Sequence, residues 1–287
     1  MTSIIPTVRT HLRFLCMLTM LLCAAAATAA QPAAGPVMDS MQSIADTRLH
    51  VLDSGIVGRP FRILVRPPAA HAETPDTTFP AVYLLDGGAT FPMLAGYYHY
   101  LRLEEAVPGL IVVGISYGSD SFEEGNYRST DYTAPSAERD YWGGAGDFLR
   151  VLEREVFPLV EGSYRADPRQ RILFGQSIGG QFVLFAALNR PELFSGLIAS
   201  NPALHRNLQY FLDFEAGPRQ RGTRLFVSSG SEDDPRFREP ALAWMKKWRA
   251  APRPPWDLRA VTIDGYGHFS IAPESFRRGL LWILGAE

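Results

Sequence analysis

Cysteine is nearly missing from this chain. Its two copies, Cys16 and Cys23, both fall in the N-terminal apolar stretch. A chain that loses this stretch has neither disulfides nor thiolate metal sites, so its stability must come from a packed core. Also missing is an apolar run long enough to cross a bilayer, because residues 14–27 fall short of the ~20 that a spanning helix needs. Arg9 and Arg13 precede or open that run and Ala27-Thr28-Ala29 closes it, the pattern of a cleaved export signal covering residues 1–30. Both cysteines follow leucine rather than the small residue that a lipoprotein signal requires. An excess of one charge is the third absence. The chain has 28 Lys and Arg against 30 Asp and Glu, a net charge of -2, which offers no basic field for nucleic acid or for an anionic membrane. No internal repeat or low-complexity block is present. What remains is the expectation of a periplasmic or secreted protein, not inserted in the membrane once its signal is gone. Its partner is expected to be a small or modest-sized molecule, handled without metal or cofactor.

What the chain does hold is an alternation of β-rich apolar runs with helical patterns. Strands are expected at 48–52, 61–65, 81–85, 110–115, 171–174, 196–199, 224–228 and 258–263, and helices at 93–105, 145–161, 178–189, 239–250 and 273–284. Runs such as LIVVGIS and RLFVSS are apolar for most of their length, which suits a parallel sheet covered on both faces. Strand alternating with helix predicts βαβ units in one α/β domain over residues 31–287, built on a mostly parallel sheet of about eight strands with helices on both faces. The roughly 255 residues left after cleavage suffice for such a domain. Two loops break the pattern. Residues 67–80, rich in Pro, Ala and Thr, read as a surface connection. Residues 117–144 are polar, aromatic and long, so a role at a site, as a lid or otherwise, is expected of them.

Gly175-Gln176-Ser177-Ile178-Gly179, followed by Gly180, lies between the apolar run at 171–174 and the apolar helical stretch at 181–189. A bare G-x-S-x-G arises by chance in roughly one chain in ten of this length, so the weight rests on its context. A strand-to-helix elbow exposes the serine hydroxyl and places the backbone N–H of Ile178 at a helix N-terminus, where it can receive an oxyanion. The flanking glycines fit a strained serine whose neighbours have no room for a β-carbon. Ser177 is therefore the candidate nucleophile, and a serine nucleophile needs a base. His268, on a glycine-flanked loop after the last strand, fits the chain order nucleophile, acid, histidine. Of the others, His11 lies in the signal, and His50, His71 and His99 precede the nucleophile. His205, between nucleophile and acid, is a candidate pocket residue. The acid belongs just after the penultimate strand, where Gly230-Ser231-Glu232-Asp233-Asp234 offers three carboxylates. The G-x-x-D spacing favours Asp233, with Glu232 the runner-up and Asp234 the third choice. A second oxyanion donor must come from the loop after the third strand. Asp86-Gly87-Gly88 supplies adjacent glycines that let backbone approach a substrate, and Gly88 is the first choice.

Beyond the elbow, four stretches carry a likeness: YLLDGG at 83–88, R-x-x-D-Y-T at 128–133, GGAGDFLRVLEREVFPLVEGSYR at 143–165 and GHFSIAPESFRRGL at 267–280. On these, from about residue 43 to the C-terminus, the chain resembles the esterase D-like family of α/β-hydrolases, nearest to the siderophore esterases that open ferric enterobactin, salmochelin or bacillibactin. The resemblance implies an α/β-hydrolase fold, a triad of Ser177, Asp233 and His268, and an oxyanion hole of the Ile178 and Gly88 amides. Arg128, His205 and Tyr132 are the candidate substrate-binding residues, Arg128 either facing a ferric catecholate anion or pairing with Asp131. One departure stands out. Where many relatives are expected to have Ser-Pro-Ser-Leu-Trp, this chain has Asn201-Pro202-Ala203-Leu204-His205, in a loop that borders the pocket in the family. The resulting expectation is an exported serine esterase that works through an acyl-enzyme, with a siderophore trilactone as the leading substrate. Feruloyl or acetyl esters, or acyl transfer to another hydroxyl, would use the same machinery. A non-catalytic binding protein on this fold would have lost a triad member, and none is missing from the sequence.

Overall fold

Side chains that alternate between two buried faces explain why the inner strands of this chain are apolar for most of their length. The structure, a computed structural model, describes residues 41–215 and 222–285; the expected export signal at 1–30 lies outside them. In chain order the elements are β1 (Arg48–Asp53), β2 (Pro60–Arg66), α1 (Ala70–Glu73), β3 (Phe79–Leu84), α2 (Gly87–Leu103), β4 (Ile111–Ser116), α3 (Arg128–Asp131), α4 (Ala145–Val151), a π-helical segment (Leu152–Val156), α5 (Phe157–Tyr164), β5 (Ala166–Gln176), α6 (Ile178–Asn189), β6 (Gly196–Ser200), α7 (Leu208–Asp213), β7 (Arg224–Gly230), α8 (Pro235–Ala250), β8 (Asp257–Ile263) and α9 (Ala272–Leu284). The eight strands form one sheet in the order β1-β2-β4-β3-β5-β6-β7-β8. β1 pairs with β2, and β2 with β4, antiparallel. The remaining pairs are parallel. This is the mostly parallel sheet that the alternation of strand and helix predicts, in the α/β-hydrolase arrangement that the resemblance implies.

The period of two along a strand divides the interior into two cores. Leu173, Leu197 and Leu225 face the larger one with Phe148, Phe157, Phe182, Trp244 and Trp248, so α4, α5, α6 and α8 cover that face. Ile172, Phe174, Ile198 and Phe226 face the other with Phe91, Leu94, Phe276 and Leu280, under α2 and α9. Among the described residues no helix is long and apolar enough to cross a membrane.

Several boundaries differ from those expected, each for a local reason. α2 starts at Gly87 rather than at residue 93: Asp86 takes a left-handed conformation (φ 54°) that turns the chain from β3 directly into the helix. Its first turn, with two glycines and then Pro92, carries little helical signal. α8 begins at Pro235, capped by the Asp234 carboxylate on the Arg236 N–H, four residues before the helical periodicity becomes apolar. The single helix expected at 145–161 is continuous but widens to π-helix over Leu152–Val156. Pro158 follows, whose ring clashes with the carbonyl four residues back in a regular helix. β5 extends back to Ala166 through polar residues, entered from a left-handed Arg165 (φ 52°). The 117–144 segment is tied to the body of the protein: Tyr117 and Tyr132 are buried in the larger core, and α3 forms within it.

Candidate active site

β5 ends at Gln176, α6 begins at Ile178, and between them Ser177 sits at φ 59° and ψ -116°. A non-glycine residue in that region is strained and must be held by its surroundings. The holding bonds are backbone ones: the Ser177 N–H donates to the Ser200 carbonyl at 3.0 Å, and the Ser177 carbonyl accepts from the N–H groups of Gln181 and Ala203, both at 3.0 Å. A β-carbon at Gly175 would lie 2.2 Å from the Gly179 carbonyl oxygen, and one at Gly180 would lie 2.9 Å from that of Ser200. At Gly179 the nearest contact would be an ordinary 3.4 Å to Asp86 Oδ2. The crowded positions are therefore Gly175 and Gly180. Of the two flanking glycines expected to leave no room for a β-carbon, Gly175 does so and Gly179 does not; Gly180 is the second crowded position.

The structure brings Ser177, His268 and Asp233 together. His268 Nε2 lies 2.9 Å from Ser177 Oγ. His268 Nδ1 lies 3.0 Å from each oxygen of the Asp233 carboxylate, which is 1% exposed. The three adjacent carboxylates have separate fates. Glu232 is exposed and Asp234 caps α8, accepting from the Arg236 N–H at 2.8 Å. Asp233 alone of the three turns inward to the imidazole.

Ile178 and Gly88 line the same cavity of about 870 Å³ as Ser177. Both stand in the first turn of a helix, α6 and α2, where backbone N–H groups have no intrahelical acceptor. Two positive helix ends thus meet at the serine, a setting that stabilises negative charge.

Of the three residues expected at the pocket, two line it. Arg128 does, but its guanidinium is held by Asp86, Nε to Oδ1 at 2.7 Å and Nη2 to Oδ2 at 2.8 Å. The alternative pairing with Asp131 does not occur, because Asp131 is buried and takes Arg59 and the Tyr117 hydroxyl instead. His205 also lines the cavity. Tyr132 does not, contrary to expectation: it is fully buried, packed against Phe148 and Phe182. Its phenol oxygen accepts from the Asp86 N–H at 3.3 Å, and burial pushes its hydroxyl well above the usual tyrosine range. It supports the Asp86 turn from beneath.

Two carboxamides escaped the sequence reading. Asn201, 1% exposed and left-handed (φ 39°), accepts from the Gly230 N–H at 2.8 Å and donates to the carbonyls of Gly267 and His268, each at 3.2 Å. Gln176 also donates to the His268 carbonyl. Together they tie the histidine loop to the ends of β5, β6 and β7. The one available signal was the asparagine itself, standing where serine is expected in relatives. Arg206, Arg236, Trp142 and Phe237 also line the cavity and were likewise not singled out. Among the described residues no cluster of His, Cys, Asp and Glu could hold a metal ion.

Comparison with known proteins agrees with this geometry. The family model described as "Putative esterase" matches residues 54–269. The chain is 29% identical over 188 residues to the ferri-bacillibactin esterase BesA of Bacillus subtilis, a match covering 59% of this chain and 63% of that protein. It is 30% identical over 164 residues to the apo-salmochelin esterase of Escherichia coli, covering 54% and 50%. The chain thus spans one half to two thirds of the length of these curated relatives. Among solved structures, an IroE-like serine hydrolase from Shewanella oneidensis superposes with a TM-score of 0.72 at 21% identity, covering 84% of this chain and 80% of that one. With three quarters of its length matched by the family model and the elbow of that fold in place, the chain belongs to the putative esterase family of α/β-hydrolases.

Proposed function

We propose that this protein is an exported serine esterase that cleaves carboxylic ester bonds through an acyl-enzyme. One observation carries the reading: the unbroken hydrogen-bonded series Ser177, His268, Asp233, open to a cavity into which two helix N-termini also point. His268 Nε2 takes the Ser177 proton as Oγ attacks the ester carbonyl. Asp233 fixes the tautomer through Nδ1 and stabilises the imidazolium. The amides of Ile178 and Gly88 receive the oxyanion. Collapse expels the alcohol, which takes its proton from His268. Water, deprotonated by the same ring, then attacks the acyl carbon and releases the acid and free Ser177. A siderophore ester is the substrate class we favour, supported by the names of the two curated relatives. Export is supported by the basic, apolar and small-residue pattern of residues 1–30.

The test is a labelled nucleophile with a matched loss. A fluorophosphonate should modify Ser177, and Ser177→Ala should lower kcat on p-nitrophenyl butyrate by about 10⁴-fold or more. Wild-type protein that neither turns over such esters nor takes the label would refute the reading. Comparing ferric and iron-free triscatecholate trilactones with feruloyl esters under one condition then decides the substrate. Mass spectrometry of the protein recovered from periplasm or medium, with an N-terminus near residue 31, checks export.

A further inference from the structure

We propose that His205, Arg206 and Arg236 form a subsite for a single anionic group of the substrate, a carboxylate or an ionised phenol, beside the ester that Ser177 attacks. This rests on the esterase reading and adds to it the residues that would choose among esters.

All three residues line the cavity that holds Ser177 and His268. The path between them is a run of rings: Phe237 lies 4.3 Å from the His268 ring, centroid to centroid, and the His205 ring meets Phe237 edge-on at 4.9 Å. The cationic wall therefore begins one aromatic ring beyond the base. Arg206 lies over Trp142 at 5.5 Å and Arg236 over Phe237 at 4.4 Å. Aromatic faces hold a guanidinium in place while leaving its fork of donors open. Among the described residues neither arginine has an ion-pair partner, whereas Arg128 in the same cavity is engaged by both oxygens of Asp86. His205 Nδ1 is buried without a hydrogen-bond partner, a costly state for an imidazole nitrogen. Burial first, then Arg206, Arg236 and His268, hold this imidazole below the usual histidine range, opposed by Glu138.

The remaining charges limit what the subsite can take. Three arginines and four aspartates line the cavity. Asp86 is committed to Arg128, Asp233 to His268 and Asp234 to the cap of α8, which leaves Asp120 exposed at the rim. Two unpaired guanidiniums suit one anionic group with charge-assisted hydrogen bonds. A cavity with no net positive charge suits a polyanion poorly, because each further negative charge meets the aspartates.

The experiment uses two pairs of esters that place the charge on either side of the bond. p-Nitrophenyl hemiglutarate against p-nitrophenyl butyrate tests an anionic acyl group, and 4-butyryloxybenzoate against 4-butyryloxybenzamide an anionic alcohol. The quantity read is the ratio of kcat/KM, anionic over neutral, in wild type, Arg206→Gln, Arg236→Gln, the double variant and Arg206→Lys with Arg236→Lys. In one pair the ratio should fall about tenfold for each arginine lost, mainly through KM. The lysine variant should retain part of it, and added salt should weaken the wild-type preference. His205→Phe should lower the same ratio. Turnover of the esters with ratios unchanged in the double variant, in both pairs, overturns the subsite alone. No turnover of any of the four esters and no labelling of Ser177 overturns the esterase reading, and the subsite with it.

Discussion

Asn201 shows how much of this site depends on one side chain that carries no chemistry of its own. Its carboxamide is two-ended, and the structure uses both ends: the oxygen takes the N–H of Gly230, and the nitrogen reaches two carbonyls of the histidine loop. A serine at this place has one short arm and cannot span that gap. Asn201→Asp keeps the acceptor but sets a carboxylate against two carbonyl oxygens. Its kcat on a p-nitrophenyl ester should fall by about 10- to 100-fold with KM little changed, since a misplaced base costs roughly 1–3 kcal/mol in the transition state. Asn201→Gln should be milder than Asp if donor capacity is what matters, and equal loss in both would refute the clamp. The acidic trio makes the complementary point. Asp234 followed by Pro235 is a helix start written in sequence, and using it that way leaves Asp233 as the inward carboxylate. The sequence left these three open because adjacent side chains in a turn differ in direction, not in composition.

At the level of elements, legibility followed the apolar signal. The α6 helix was read to the residue because it is almost wholly apolar and directly follows a glycine-rich turn. The front of α2 was missed because glycines open it, that of α8 because its first turn has little apolar signal beyond Phe237, and the front of β5 because its first residues are polar. The elbow joining β5 to α6 yields a prediction of its own. Gly180→Ala forces a methyl group to 2.9 Å from the Ser200 carbonyl oxygen, an overpacking that should cost about 1–3 kcal/mol. Gly179→Ala meets only ordinary contacts and gains about 1 kcal/mol of helix propensity. Thermal unfolding should therefore show Gly180→Ala lowered by roughly 2–4 °C per kcal/mol, and Gly179→Ala near or above wild type. The reverse order would refute this packing of the elbow.

Across the whole molecule, the catalytic residues gather at the C-terminal ends of the parallel strands, where α/β sheets bind ligands, while stabilising charge lies at the other end. Asp167, near the start of β5, is 5% exposed and is held down to about 2 by hydrogen bonds from Arg169 and then Gln170. A carboxyl depressed in the folded state stabilises above its unfolded value, near 4, and that contribution is lost as pH falls through about 2. Because Arg169 is 87% exposed, solvent screening reduces the effect to about 1 kcal/mol. Urea unfolding of Asp167→Asn against wild type should show that difference above pH 4, shrinking as pH falls through about 2. A difference independent of pH over this range would assign the loss to packing.

By itself the sequence determined the strand and helix alternation, the elbow at Ser177 and the chain order that singles out His268, because periodicity and turn chemistry are local and survive in one dimension. Tertiary structure alone decided that Asp233 and not its neighbours faces the imidazole, that Arg128 answers to Asp86, that Tyr132 is a core residue and that Asn201 joins the ends of β6 and β7 to the histidine loop. Those outcomes depend on which strands lie side by side. The order β4-β3-β5-β6-β7-β8 brings together residues far apart in the chain, 91 positions in the Ser177 and His268 contact. No local pattern in the chain records that proximity.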